Sequence, residues 1–136
     1  MRFSQESYYG MQVMVALARL GSDRPVGLHE LASAGSLPQN FLAKILQKLA
    51  RGGLVVSSRG RRRGYALTAP PGQITLREVL EVTEGPERFR GCLFWPRRCD
   101  EKSPCPLHDV GVATRAGLEE WLTKLTVADI AAKERG

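Results

Sequence analysis

From Ser4 onward, apolar residues return at three- and four-residue steps: Tyr8, Met11, Met14, Val15 and Ala18, with Leu17 beside them. That period belongs to one face of an α-helix. Ser4 is placed to cap its start, with Ser7 as a second choice. Gly21 ends the stretch, and Asp23, Pro25 and Gly27 mark a turn. A short second helix is expected over about residues 28–34, with Leu28, Leu31 and Ala32 on one side and Gly35 as its break. Ser36 or Pro38 opens a third, whose apolar stripe is Phe41, Leu42, Ile45, Leu46 and Leu49 and whose end is Gly52–Gly53.

Then the period changes. LVVSS (residues 54–58) and YALT (residues 65–68) read as two short strands, and RGRRRG between them as a basic hairpin tip. Residues 70–72 break the pattern. Thr75 and Glu78 have capping-box spacing and open a helix through about Val82. Residues 85–105 show no period and are rich in Gly, Pro, Cys and Arg. Beyond Pro106, the positions of Leu107, Val110, Ala113, Leu118, Trp121, Leu122 and Leu125 predict a long amphipathic helix. Thr126 caps a last short one over residues 127–133. No internal repeat is present. The predicted fold class is mainly α with a small β-hairpin wing. It divides into a winged helix-turn-helix domain over residues 1–84, a cysteine-rich loop over 85–105, and a dimerisation helix with a C-terminal helix over 106–136.

Composition adds little until charge is placed along the chain. The 136 residues are 43% hydrophobic, enough for one domain with an extension. No apolar run nears the ~20 residues of a membrane span. The opening MRFSQESYYG lacks the apolar stretch of a secretory signal. The expectation is a soluble cytoplasmic protein with no membrane partner. Residues 1–68 hold ten Lys/Arg against three Asp/Glu, a balance of +7; residues 69–136 hold ten against eleven, a balance of −1. The basic half suits a polyanion, above all double-stranded DNA.

The order of elements agrees with that partner. The third helix of such a unit enters the major groove, where its N-terminal residues meet base edges. Pro38, Gln39 and Asn40 occupy that place, and Lys44 follows one turn on, suited to a phosphate or a guanine. Arg59, Arg61, Arg62 and Arg63 at the hairpin tip suit phosphates or an adjacent minor groove. Tyr65, on the strand after them, completes the DNA-binding set. The blander alternatives stay open from residues alone: Gln39 and Asn40 as helix-end caps, and the arginines as a solvated tip.

Within GCLFWPRRCDEKSPCPLH, Cys92, Cys99 and Cys105 are separated by gaps of x6 and x5, and His108 follows Cys105 by three. Compact zinc sites favour pairs at C-x2–4-C, and no such pair exists here. Wider gaps suit an iron–sulfur cluster, whose ligands spread around a larger object and can include His. Reduced free thiols and a disulfide are the alternatives, the latter disfavoured in a reducing cytosol. An enzyme using Cys105 and His108 as a nucleophile pair is not expected. No oxyanion loop is in sight, and Asp109 is a sequence neighbour of the imidazole rather than aimed at it.

Taken together, "MRFSQESYYG", "VGLHELASAGSLPQNFLAKILQKLARGGLV", "SSRGRRRGYAL", "ITLREVLEVTEG" and the three spaced cysteines resemble the Rrf-type winged-helix regulators, the family of IscR and NsrR. The resemblance covers nearly all of the chain. It implies a homodimeric DNA-binding transcription regulator that carries an iron–sulfur cluster on a loop before a long dimerisation helix, and whose DNA affinity follows the state of that cluster. It implies Cys92, Cys99 and Cys105 as cluster ligands. The spacing Cys105-x2-His108 is similar to the IscR branch, which implies His108 as fourth ligand and [2Fe–2S] in preference to [4Fe–4S]. In the NsrR branch a carboxylate of the partner's N-terminal helix takes that role, and the matching residue here is Tyr8. Three departures stand out. The first gap, x6, is one longer than in the IscR branch. The wing is GRRRG in place of a glycine-rich GxxGG. Ala43 stands where IscR carries an acidic residue. The expected burial of Val110, Leu118, Trp121 and Leu122 is against a second subunit. The competing function is a cluster-free regulator of the same fold, sensing by thiol oxidation or by a small ligand.

Overall fold

Ser4 Oγ accepts the N–H of Ser7, and helix α1, Gln5–Leu20, begins there. The computed structural model describes residues 3–21, 24–95 and 99–133. Asp23 of the first expected turn lies outside them, as do residues 96–98 of the cysteine segment. Ser7 is not the cap. Its side chain is buried, with its hydroxyl 2.6 Å from that of Thr83. Val13, Met14 and Leu17 of α1 are at the centre of the core, which they share with every helix of the basic half.

Helices α2, Leu28–Gly35, and α3, Gln39–Arg51, form the helix-turn-helix. Ser36 takes a left-handed conformation at φ 52° and reverses the chain, and Leu37 plugs the turn with its side chain in the core. Pro38 occupies the cap position of α3, so of the two expected openings the proline is the one used. Leu42, Ile45, Leu46 and Leu49 are buried. Phe41 is not. It lies at the edge of the stripe, 43% exposed, with its ring 5.8 Å from that of Tyr9.

Strands β1, Val55–Ser58, and β2, Gly64–Leu67, pair antiparallel with Val55 opposite Leu67. β1 starts one residue later than expected, because Leu54 N–H bonds Leu49 O and belongs to the preceding turn, and β2 lies one residue earlier, with Gly64 pairing Ser58. The wing is sewn to the rest by Val26 and Tyr65, which exchange backbone hydrogen bonds of 2.9 and 2.8 Å. Gly64 is required at this seam. A Cβ there would stand 2.6 Å from the Val26 carbonyl oxygen, and φ is +152°.

Thr75 and Glu78 make the expected capping box, and helix α4 runs Leu76–Glu84, two residues past its expected end. It approaches α1 closely at Gly10, where a Cβ would meet Thr83 Cγ2 at 2.7 Å. A 3-10 turn, Pro86–Phe89, leads into the cysteine segment. Helix α5 spans His108–Lys124 and helix α6 Val127–Lys133. Val127 returns to the main core, and its N–H donates to Ile74 O at 2.9 Å.

The stripe of α5 divides in a way that periodicity does not reveal. Leu122 is fully buried in its own chain, against Leu76 and Leu80 of α4. That corrects its expected burial against a second subunit. Leu118 and Leu125 flank the same small core. The reason is that α5 crosses α4, and Arg77 fixes the crossing. Its guanidinium binds Glu119 and Glu81 and lies 3.8 Å over the Phe89 ring. Val110 and Trp121, at 59% and 53% exposed, remain uncovered.

Candidate thiolate centre and DNA-facing surface

The cysteine segment is held at several points. Arg115 of α5 donates to Gly91 O, just before Cys92. Asp100 Oδ1 accepts the N–H groups of Lys102 and Ser103 at 2.9 and 2.7 Å, folding the stretch after Cys99 into a tight turn. His108 N–H donates to Cys105 O at 3.0 Å, which places the first residue of α5 beside the third cysteine.

These restraints bring the expected ligands together. The sulfurs of Cys92, Cys99 and Cys105 all lie within 4.8 Å of one another. Cys92 and Cys105 are 3.5 Å apart, and Cys99 Sγ is 3.3 Å from His108 Nδ1. All three are free thiols; a disulfide would need about 2.05 Å. Cys99 is buried and the other two half-buried. A cavity of about 90 Å³ beside them is lined by Cys92, Cys99, His108, Asp100 and Arg115, among others.

The thiols are not equivalent. Backbone N–H groups of Trp95 and Phe94 hold Cys92 down at about 7. Burial pushes Cys105 up to about 11, with the neighbouring Cys92 thiolate adding to the rise. Of these two, Cys92 therefore carries charge more readily and Cys105 resists it, until a cation shares the site.

The residues expected to face DNA lie on α3 and on the wing. Gln39, Asn40 and Lys44 are exposed on the outer side of α3, and Pro38 is exposed at its start. Lys44 leans toward Glu6 at 3.8 Å with its side chain 73% exposed. Arg59, Arg61, Arg62 and Arg63 are exposed at the wing tip, and none makes an ion pair among the described residues. Tyr65 sits lower, half-buried at the seam with Val26.

A family model, Rrf2, described as an iron-dependent transcriptional regulator, matches residues 3–133. The chain belongs to the Rrf2 family. It is accordingly a DNA-binding transcription regulator and not an enzyme. Among Rrf2-related proteins, protein aau3 of Rhizobium meliloti is 36% identical over 136 residues, covering 96% of this chain and 84% of that one. CymR of Bacillus subtilis is 28% identical over 136 residues, 100% of this chain and 94% of CymR. The solved structure of that CymR, described as a global cysteine regulator, superposes with a TM-score of 0.81 at 27% identity over 99% of both chains. IscR of T. potens superposes with a TM-score of 0.77 at 26% identity, over 100% of this chain and 93% of that one. The helical fold with its two-stranded wing matches these Rrf2 structures. No helix among the described residues is long and apolar enough to cross a membrane.

An iron–sulfur group, implied by the resemblance of this chain to IscR, fits the donor set. Three thiols lie within 4.8 Å of one another with an imidazole nitrogen 3.3 Å from one of them, beside a cavity that Cys92, Cys99 and His108 line, and such donors suit iron–sulfur clusters. Two contacts escaped sequence reasoning: the Arg115 clamp on Gly91, and a bond between Gln39 and His29 of α2. They join residues 24 and 10 positions apart on different elements, and no local spacing announces them.

Proposed function

We propose that this Rrf2 regulator tunes its DNA affinity through an iron–sulfur cluster held by Cys92, Cys99 and Cys105, with His108 as fourth ligand and [2Fe–2S] favoured over [4Fe–4S]. The observation that carries the reading is the convergence of three sulfurs within 4.8 Å, with the imidazole 3.3 Å from one of them. Such a group supplies a redox couple and a net charge that depends on its state. The protein supplies the connection. Residues 91–105 leave α4 through the 3-10 turn, and the last turn of α4 touches the recognition helix. Lys48 of α3 donates to Thr83 O at 3.0 Å and to Glu6 at 2.5 Å. Glu84 binds Ser7 Oγ at 2.8 Å. Burial would raise the Glu84 carboxyl, yet the Ser4 N–H and the Ser7 hydroxyl hold it below the usual range. Order gained or lost in the cysteine segment thus reaches α3 through packed, charged contacts, and it shifts DNA affinity only if the two states differ in these contacts.

In this reading Pro38, Gln39, Asn40 and Lys44 meet base edges and phosphates, and the four wing arginines and Tyr65 meet the backbone or minor groove. Two copies pair through the uncovered face of α5, around Val110 and Trp121, and present two recognition helices to one DNA site. Protein purified without oxygen should absorb visible light and contain iron and acid-labile sulfide. Cys99→Ala should abolish that, and the loaded and metal-free forms should differ in operator affinity. Equal affinities would sink the switch.

One observation favours a second reading. Cys92, low at about 7, lies 3.5 Å from Cys105, placed to form a disulfide when an oxidant takes two electrons and two protons leave. Colourless protein whose DNA binding changes with thiol oxidation would select it.

A further inference from the structure

His29 and Gln39 occupy the facing ends of the two helix-turn-helix helices. His29 is the second residue of α2 and Gln39 the first of α3, and both are exposed. Gln39 Nε2 lies 2.8 Å from His29 Nδ1. An amide nitrogen carries two hydrogens and no lone pair to offer, so it donates, and Nδ1 accepts. The Gln39 amide keeps its oxygen and its second N–H for whatever approaches the start of α3.

We infer that His29 is a specificity-determining positioning residue, which fixes the Gln39 amide so that one acceptor and one donor face the major groove side by side. This rests on the reading above that the start of α3 meets base edges. The pattern complements adenine, which offers N6–H as donor and N7 as acceptor. Guanine offers two acceptors, O6 and N7, and would leave the Gln39 oxygen facing another oxygen. A glutamine without a partner can turn its amide over and lose that distinction. It must also give up its side-chain freedom on binding. His29 removes both difficulties before DNA arrives, without itself touching a base.

The test is selection of preferred sites from randomised duplexes by the full chain and three variants. Gln39→Ala identifies the base position that Gln39 reads, by loss of its adenine preference. His29→Leu should flatten that same preference by about 3- to 10-fold, the range for freeing one side chain, and leave other positions unchanged. His29→Asn should restore it, since Asn Oδ1 offers an acceptor at the same branch point as Nδ1. Melting curves check that each variant folds; His29→Ala replaces His29→Leu if the latter melts early. An intact preference in His29→Leu beside a lost one in Gln39→Ala overturns the positioning role alone. Equal loss in His29→Leu and His29→Asn overturns it too, because the acceptor would then not matter. If Gln39→Ala changes nothing, the base contact fails and the proposal falls with it.

Discussion

At the scale of residues, the thiols differ by their neighbours rather than by their place in the sequence. Cys92 is held at about 7 by the N–H groups of Trp95 and Phe94, while burial lifts Cys105 to about 11. A lowered value means the thiolate persists above it and is lost as pH falls through it. Metal-free protein at neutral pH should therefore be alkylated faster at Cys92 than at Cys105. The Cys92 rate should drop as pH falls below about 7. Mass-spectrometric mapping of the labelled sites reads both, and equal labelling would refute the assigned order. Sequence spacing identified the three cysteines and His108 as a group. It could not rank them, since the ranking depends on two backbone N–H groups and on how deeply each sulfur is covered.

At the scale of elements, caps were legible and crossings were not. The capping box at Thr75 and Glu78 was readable because each of its bonds spans only three residues. Thr75→Ala should cost about 1 kcal/mol, seen as a fall in the melting temperature of a few degrees. A melt equal to that of the parent would mean that α4 is held by packing alone. The same holds for Thr126 and Asp129, whose side chains bond each other's N–H groups at the start of α6. The stripe of α5 was equally visible, but which of its residues face α4 was not. Leu122 and Trp121 are adjacent in sequence and opposite in fate, one fully buried and the other 53% exposed. The helix-turn-helix offers a parallel case. Both helices could be read from periodicity, whereas the bond between His29 and Gln39 needs the angle at which they meet.

At the scale of the whole molecule, charge and uncovered apolar surface point outward in two directions. Changing Arg61, Arg62 and Arg63 together to Ala should weaken binding to all duplexes alike. It should reduce the slope of log affinity against log salt by about 0.9 for each phosphate that the wing no longer neutralises. An unchanged slope would remove the wing from the interface. Trp121→Asp should leave the monomer folded, because the ring is half exposed within one chain, and should shift sedimentation toward the monomer. A dimer that persists through Trp121→Asp and Val110→Asp would place the subunit contact elsewhere. Leu122→Asp should instead unfold the chain locally, since it would bury a charge between α4 and α5.

The linear order of residues determined the helices, the wing, the charge asymmetry and the grouping of the thiols. Each of these is set by local period, by a cap a few residues away, or by composition. Only the tertiary structure decided that Ser7 is buried against Thr83, that Leu122 faces its own chain, that Gly91 is clamped by Arg115, and that three sulfurs converge with an imidazole beside one of them. Those outcomes depend on distances between elements. Such distances follow from how side chains of many elements fill one core, which no stretch of sequence specifies alone.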